Sequence, residues 1–337
     1  MKIKILSAVI LFILLSQLSV VSAKPLVVKI GFFAKELSVH SSEETFDAEL
    51  YMWIRMPNTD RAWSLFNWEE DPEALEFVNG DIEELTIDEG YQIGEEYYVN
   101  ARVKGSFHYI SNYYNYPFDS QELPIEIEHA FLESDEIIFV ADQESIDRAM
   151  KEHGSHSLSD ELDIGELEIS GVDYSSSVRV YRTDFGDLGA KSQSSYSRLT
   201  YALKTKRNYW SFLFKAFIPL TIVLTLAYLV FFIPAGQLEL AGGLTVTSLL
   251  AAIAFQWTLG DNLPSVGYLT IMDYIFYLVY FLIMAAMVQT IYTFNLENSS
   301  VNQAFRLKLS NWLEWFGRIS YPIVYFGSVI YIIIANS

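Results

Sequence analysis

Two carboxylates, Glu239 and Asp261, bracket an apolar run in LELAGGLTVTSLLAAIAFQWTLGDNLP, residues 238–264, which also holds a Gly-Gly pair and several hydroxyls. An α-helix turns ~100° per residue, which places Glu239, Gly243, Thr247, Leu250, Ala254, Trp257 and Asp261 within a sector of about 80°. Charged groups at bilayer depth are costly and face a bundle interior or water. Rings of Asp or Glu around a symmetric bundle concentrate cations, and rings of apolar side chains close a pore by dewetting. The face therefore has the chemistry of a cation-selective pore lining, with Leu250 and Trp257 as its apolar rings. An ordinary buried helix whose end carboxylates reach the two interfaces fits the same pattern, and packing against a neighbouring helix is the alternative for Trp257.

The rest of the chain must position that helix. Its 337 residues are 51% hydrophobic yet carry a formal net charge of −20, so membrane-like and acidic stretches are expected to be segregated. Residues 1–23 read as a signal peptide, with Lys2 and Lys4, an apolar core and Val21-Ser22-Ala23 before the cut. Residues 24–208 show short alternating segments at 27–39, 46–56, 97–108, 123–128, 178–182 and 199–204, the pattern of an antiparallel, immunoglobulin-like β-sandwich of about ten strands. Residues 209–337 read as an all-α, four-helix transmembrane pore domain with spans near 209–233, 239–260, 267–294 and 312–335, each close to the ~20 residues that cross hydrocarbon. Residues 305–316 resemble an interfacial amphipathic helix leading into the last span.

Export of the front half places it in the periplasm, with the chain multi-pass in the inner membrane. Arg306, Lys308 and Arg318 then fall on the inner side, as positive-inside bias expects, whereas Lys204, Lys206 and Arg207 lie outside against it. Cysteine is absent, which excludes disulfides and thiolate metal sites. The acidic balance argues against nucleic acid, because phosphate binding needs clustered Lys and Arg.

The order of exported sandwich and then four spans, joined at a basic strand end, resembles the pentameric ligand-gated ion channels, the Cys-loop receptor family, and its bacterial members in particular. The local motifs are Tyr116-Pro117-Phe118-Asp119-Ser120-Gln121, similar to the loop at the membrane-facing end of the sandwich, then Arg207, Pro219 and Asn262-Leu263-Pro264. Leu75-Glu76-Phe77-Val78-Asn79, Asn100-Ala101-Arg102 and Gly105-Ser106-Phe107 look like sandwich segments of an amine-responsive bacterial relative. The resemblance covers nearly the whole mature chain. The cysteines that flank the loop in eukaryotic members are missing here, as in bacterial ones.

The resemblance implies a homopentamer in membrane lipid that conducts monovalent cations, with no enzymatic activity and no cofactor. It matches Leu250 to a central leucine ring, while Gly243 departs from the hydroxyl residue usual at that level. It implies a ligand box between subunits, with Tyr181 and Tyr196 on a capping hairpin, Glu76, Phe77 and Asn79 on a neighbouring loop, and Arg102 from the adjacent subunit. Aromatic faces near a carboxylate suit a small ammonium ligand. Protons and divalent cations compete as triggers, since Glu69-Glu70-Asp71, Asp81-Ile82-Glu83-Glu84 and Asp160-Glu161 with Asp163 are candidates for raised carboxyl pKa values or calcium modulation. Coupling to the pore is expected to run through Pro117, Phe118 and Asp119 to Arg207, with Glu43 joining the cluster.

Two other classes remain open. A membrane-anchored periplasmic sensor without conduction uses the same sandwich but has no need for two carboxylates and Leu250 on one helical face. A tethered enzyme finds its best seed in His153-Gly154-Ser155-His156, a weak metal signal in a Gly/Ser stretch.

Overall fold

The computed structural model describes residues 24–153, 158–159, 162, 164–183, 186, 193–234, 236–260, 266–298 and 303–336. The signal-peptide segment, Asp160, Glu161, Asp163, His156 and Asp261 lie outside them.

Among the described residues ten strands form two sheets. One has the order β4 (Gly80–Ile87), β6 (Glu96–His108), β2 (Thr45–Pro57), β1 (Leu26–His40), β8 (Ile137–Ala141), with β5 (Tyr91–Ile93) paired to β6. The other runs β3 (Leu75–Phe77), β7 (Ser120–His129), β10 (Ser194–Arg207), β9 (Leu167–Tyr181). The pairings are antiparallel except that β8 runs parallel to β1. Strand side chains alternate between faces. The buried set of β2, Phe46, Ala48, Leu50, Met52, Ile54 and Met56, therefore falls on every second residue and faces the core. Across the sandwich Phe32 of β1 stacks on Tyr201 of β10 with ring centroids 5.0 Å apart. Gly31, opposite Trp53 in the β1–β2 register, leaves room for the indole, since a Cβ there would lie 2.2 Å from the ring.

Two short helices attach to the sandwich, α1 (Asp60–Leu65) and α2 (Gln143–His153). Asp142, fully buried just before α2, accepts hydrogen bonds from Trp53 Nε1 at 2.9 Å and Ser145 Oγ at 2.5 Å and pairs with Arg55 at 3.1 Å. These short strands and helices are where the sequence reading was coarsest. Alternation over three to five residues carries little signal, and β9 begins at Leu167, well before the expected 178.

After β10 ends at Arg207 the chain turns helical: α3 (Tyr209–Tyr228), a 3₁₀ turn (Leu229–Phe232), α4 (Leu238–Gly260), α5 (Ile271–Glu297) and α6 (Gln303–Asn336). The β-sandwich is thus followed by a helical bundle. Helix α5 touches α3, α4 and α6, and its Ile275, Phe276, Val279, Ile283 and Ala286 form the bundle core. It starts at a capping box in which Thr270 and Asp273 satisfy each other's backbone N–H groups. Among the described residues three helices are long and apolar enough to cross a membrane, within Phe214–Phe232, Leu238–Gly260 and Ile271–Leu296. The fourth expected span lies inside α6, which is not one of these three, and the amphipathic stretch 305–316 is the first part of that same unbroken helix. Arg318 of α6 fastens the 3₁₀ turn by donating to the Phe231 carbonyl at 3.0 and 2.7 Å, satisfying an orphan carbonyl at a helix end.

Candidate functional site

Three places carry the residues with chemistry: the uncovered face of α4, the junction between sandwich and bundle, and a cavity on the four-stranded sheet.

Helix α4 buries Ala241, Thr245, Ser248 and Ala252. This i, i+4, i+7, i+11 stripe is the small-residue spacing that lets helices approach closely. The opposite face stays uncovered by the chain's own helices. Glu239, Gly243, Thr247, Leu250, Ala254 and Trp257 are all exposed, Leu250 by 62% and Trp257 by 73%. A Cβ added to Gly243 would meet nothing within 4 Å. Toward the C-terminal end of α4, Gln256 turns inward instead and donates to Asp273 Oδ1 of α5 at 3.2 Å.

At the junction Arg207 makes a two-pronged pair with Asp119, Nε to Oδ1 at 2.8 Å and a terminal nitrogen to Oδ2 at 3.2 Å, with side chains only 5% and 1% exposed. Its guanidinium also lies 4.9 Å from the centroid of the Tyr116 ring. Burial alone would lower the Arg207 pKa, but the bond and charge of Asp119 outweigh it and raise the pKa. Gln121 donates to the same carboxylate at 2.7 Å. The third partner is Glu166, 3.3 Å from Arg207 and 3.5 Å from Lys215 at the head of α3. Glu43 does not fill that place. It is exposed in the β1–β2 turn, and it is its neighbour Glu44 that bonds, accepting from Ser111.

The loop around Pro117, whose Tyr116–Pro117 peptide is cis, sits on the bundle through aromatic contacts. Phe118 packs on Tyr209 at 5.2 Å and Tyr116 on Phe212 at 4.8 Å. Tyr268, between α4 and α5, stacks on Tyr114 at 3.8 Å while its hydroxyl accepts from the Tyr113 N–H at 2.9 Å. Sequence reasoning missed Glu166 and Tyr268, because nothing in their own neighbourhoods marks them and only the fold brings them to the loop.

The third place is a cavity of about 260 Å³ lined by Glu76, Glu128, His129, Ala130, Tyr181 and Tyr196. Tyr181 and Tyr196 meet edge to face at 5.8 Å and 71°. Glu128 is buried, and its carboxylate accepts from the Tyr181 hydroxyl at 3.1 Å and from Arg198 Nε at 2.6 Å. Arg198 also bonds Glu126 and, at 2.9 Å, the Tyr181 oxygen. Burial, then the charge of Glu128, raises the Tyr181 pKa, keeping the phenol protonated. His129 Nδ1 accepts from the N–H groups of Phe131 and Leu132 at 3.1 and 3.0 Å. Burial lowers its pKa to about 4, so the ring is neutral at ordinary pH.

Phe77, Asn79 and Arg102, the last expected from an adjacent subunit, do not line this cavity. Phe77 is buried in the sandwich core against Phe107. Asn79 is a clip whose Nδ2 donates to the carbonyls of His108 and Pro124 at 2.8 Å and whose Oδ1 accepts from Glu126 N–H at 2.9 Å. Arg102 stands on the six-stranded sheet beside Tyr51 and 3.7 Å from Glu49. Glu128, His129 and Arg198 were not foreseen, although the alternation Glu126-Ile127-Glu128 opposite Arg198 was a visible signal. Among the described residues no group of three or more His, Asp or Glu is placed to hold a metal ion. Of the acidic clusters, Glu69 is used by Gly90 N–H and Tyr97 OH, and Glu83 by Lys104.

No family model matches the chain. Over 324 residues it is 21% identical to a proton-gated ion channel of Gloeobacter violaceus (strain ATCC 29082 / PCC 7421), a likeness that takes in 90% of this chain and 82% of that protein. Together with the apolar helices this points to a membrane protein.

Proposed function

We propose that this chain is one subunit of a homopentameric, cation-selective ligand-gated channel of the cell inner membrane, with the sandwich in the periplasm. The observation that carries the reading is the uncovered stripe on α4, where Glu239, Gly243, Thr247, Leu250, Ala254 and Trp257 share one exposed face. A lone helix in lipid gains nothing from a carboxylate and a glycine on its open side, whereas copies arranged around an axis turn that side toward water. Glu239 then forms the ring that favours cations, and Leu250 and Trp257 form the apolar constrictions. The likeness to a proton-gated channel supports the same class.

The trigger is a small cation, and the cavity favours an organic amine. Glu76 is exposed at its rim, and Tyr181 and Tyr196 supply aromatic faces that attract ammonium by ~0.5 to 2 kcal/mol per contact. At about 260 Å³ the space lies below the size of a drug-like pocket and suits a short molecule. Arg102 lies on the other sheet, where only a neighbouring subunit's Arg102 can complete the box. Motion at the cavity reaches α4 through Arg207, Asp119 and Tyr268.

Current recording from liposomes under steps of pH, calcium and primary amines tests the reading, with Glu239→Ala for comparison. Amine-evoked cation current that loses its cation preference in Glu239→Ala is expected. Anion-selective current overturns the role of Glu239, and silence under every condition favours an anchored sensor.

A further inference from the structure

Behind the wall of the cavity on the four-stranded sheet lies a cation of the chain itself, bonded to the lining residues Glu128 and Tyr181. The register that sets Leu199 opposite Ile127 places Arg198 of β10 beside Glu126 and Glu128, which project from one face of β7. Arg198 satisfies Glu128 at 2.6 Å, engages Glu126 and reaches the Tyr181 hydroxyl at 2.9 Å. Two carboxylates and a phenol oxygen beside aromatic rings are the partners an ammonium or guanidinium ligand seeks. The side chain is 13% exposed, so the group is closed off from bulk water but stands at the cavity, whose wall includes its partners Glu128 and Tyr181.

We infer that Arg198 is a tethered stand-in for the cationic ligand: an incoming short alkylamine displaces its guanidinium from Glu128 and Tyr181, so that Arg198 sets the affinity threshold of the site. The inference rests on the reading of this cavity as an amine site. Tyr181 ends β9, and both Glu128 and Arg198 hold its hydroxyl. The internal cation thus ties the end of β9 to β7, and the ligand takes over that tie. Arg198 is distinct in this from Arg207, which touches no cavity carboxylate.

Isothermal titration of the full-length protein in detergent with n-propylamine and, separately, methylguanidinium tests the displacement. Arg198→Gln removes an internal charge-assisted competitor and is expected to tighten n-propylamine binding by about tenfold. Methylguanidinium is expected to bind that variant at the vacated position and to bind the unaltered protein far more weakly. Tyr196→Ala serves as the control for the cavity and weakens amine binding with either residue at 198. If Tyr196→Ala weakens binding but Arg198→Gln leaves it unchanged or weaker, the amine site stands and the displacement is wrong. If n-propylamine binds neither the unaltered protein nor any variant, the amine reading falls and this inference with it. Should Arg198→Gln fail to assemble, Arg198→Lys keeps the charge but, as a point cation, cannot bridge both carboxylates and the phenol. A smaller tightening is expected from it, and none overturns the displacement.

Discussion

Two arginines on one strand make similar bonds and stand in different surroundings. Arg207 and Asp119 are sealed at the sandwich–bundle junction, 5% and 1% exposed, while Arg198 and Glu128, 13% and 5% exposed, meet at the wall of a cavity. Breaking a sealed pair strands a charge that nothing else can reach, whereas a pair beside a cavity can exchange one partner for a ligand. The difference is one of access: the first pair is suited to transmit displacement, the second to be displaced.

The largest effect is expected from breaking the sealed pair. Removing one partner of a buried ion pair costs about 3–5 kcal/mol, so Arg207→Ala is expected to abolish evoked current while pentamers still form. A normal dose response in that variant would sink the coupling role. A double-mutant cycle with Asp119→Ala should return a large coupling energy, since the second truncation removes the stranded charge.

Next comes the acid response of the cavity end. His129 titrates at about 4 when folded against ~6.5 when unfolded, so the unfolded chain binds more protons between these values. Stability from this group is complete above pH ~6.5 and is lost as pH falls toward 4, by about 3 kcal/mol. Urea unfolding of the full-length protein across that window should show an acid limb that His129→Gln removes. The same limb in both proteins would mean that another group governs it.

The smallest change probes the contact that carries the junction to α4. Tyr268→Phe keeps the stack on Tyr114 and deletes the acceptor for the Tyr113 N–H. The loss of one such bond is worth about 1 kcal/mol and should move the agonist dose response severalfold toward higher concentration. A leftward shift would show that the bond holds the closed arrangement instead.

Legibility in the sequence followed the range of the interaction. The α4 face was readable because a helix repeats every 3.6 residues, so Glu239 through Trp257 needed only local geometry to be placed on one side. The long strands β1, β2, β6 and β10 were readable from alternation, and the three-residue β3 and β5 were not. Phe77 and Asn79 share a short segment with Glu76, yet alternation sends Phe77 into the core, and the amide of Asn79 clips β6 to β7. Alternation separates Phe77 from Glu76, but no local pattern marks Asn79 as a clip.

The sequence by itself determined the order of sandwich and apolar helices and the shared face of α4, while the meeting of Arg207 with Asp119 was expected from the family resemblance. The tertiary structure alone decided which acid joins them, Glu166 and not Glu43, and that Arg198 meets Glu128, 70 residues away, at the wall of a cavity. The physical reason is register. Helical and strand periods are set by neighbours along the chain, whereas ion-pair partners are set by which rung of one strand faces which rung of another, and sliding by one residue turns every side chain to the other face.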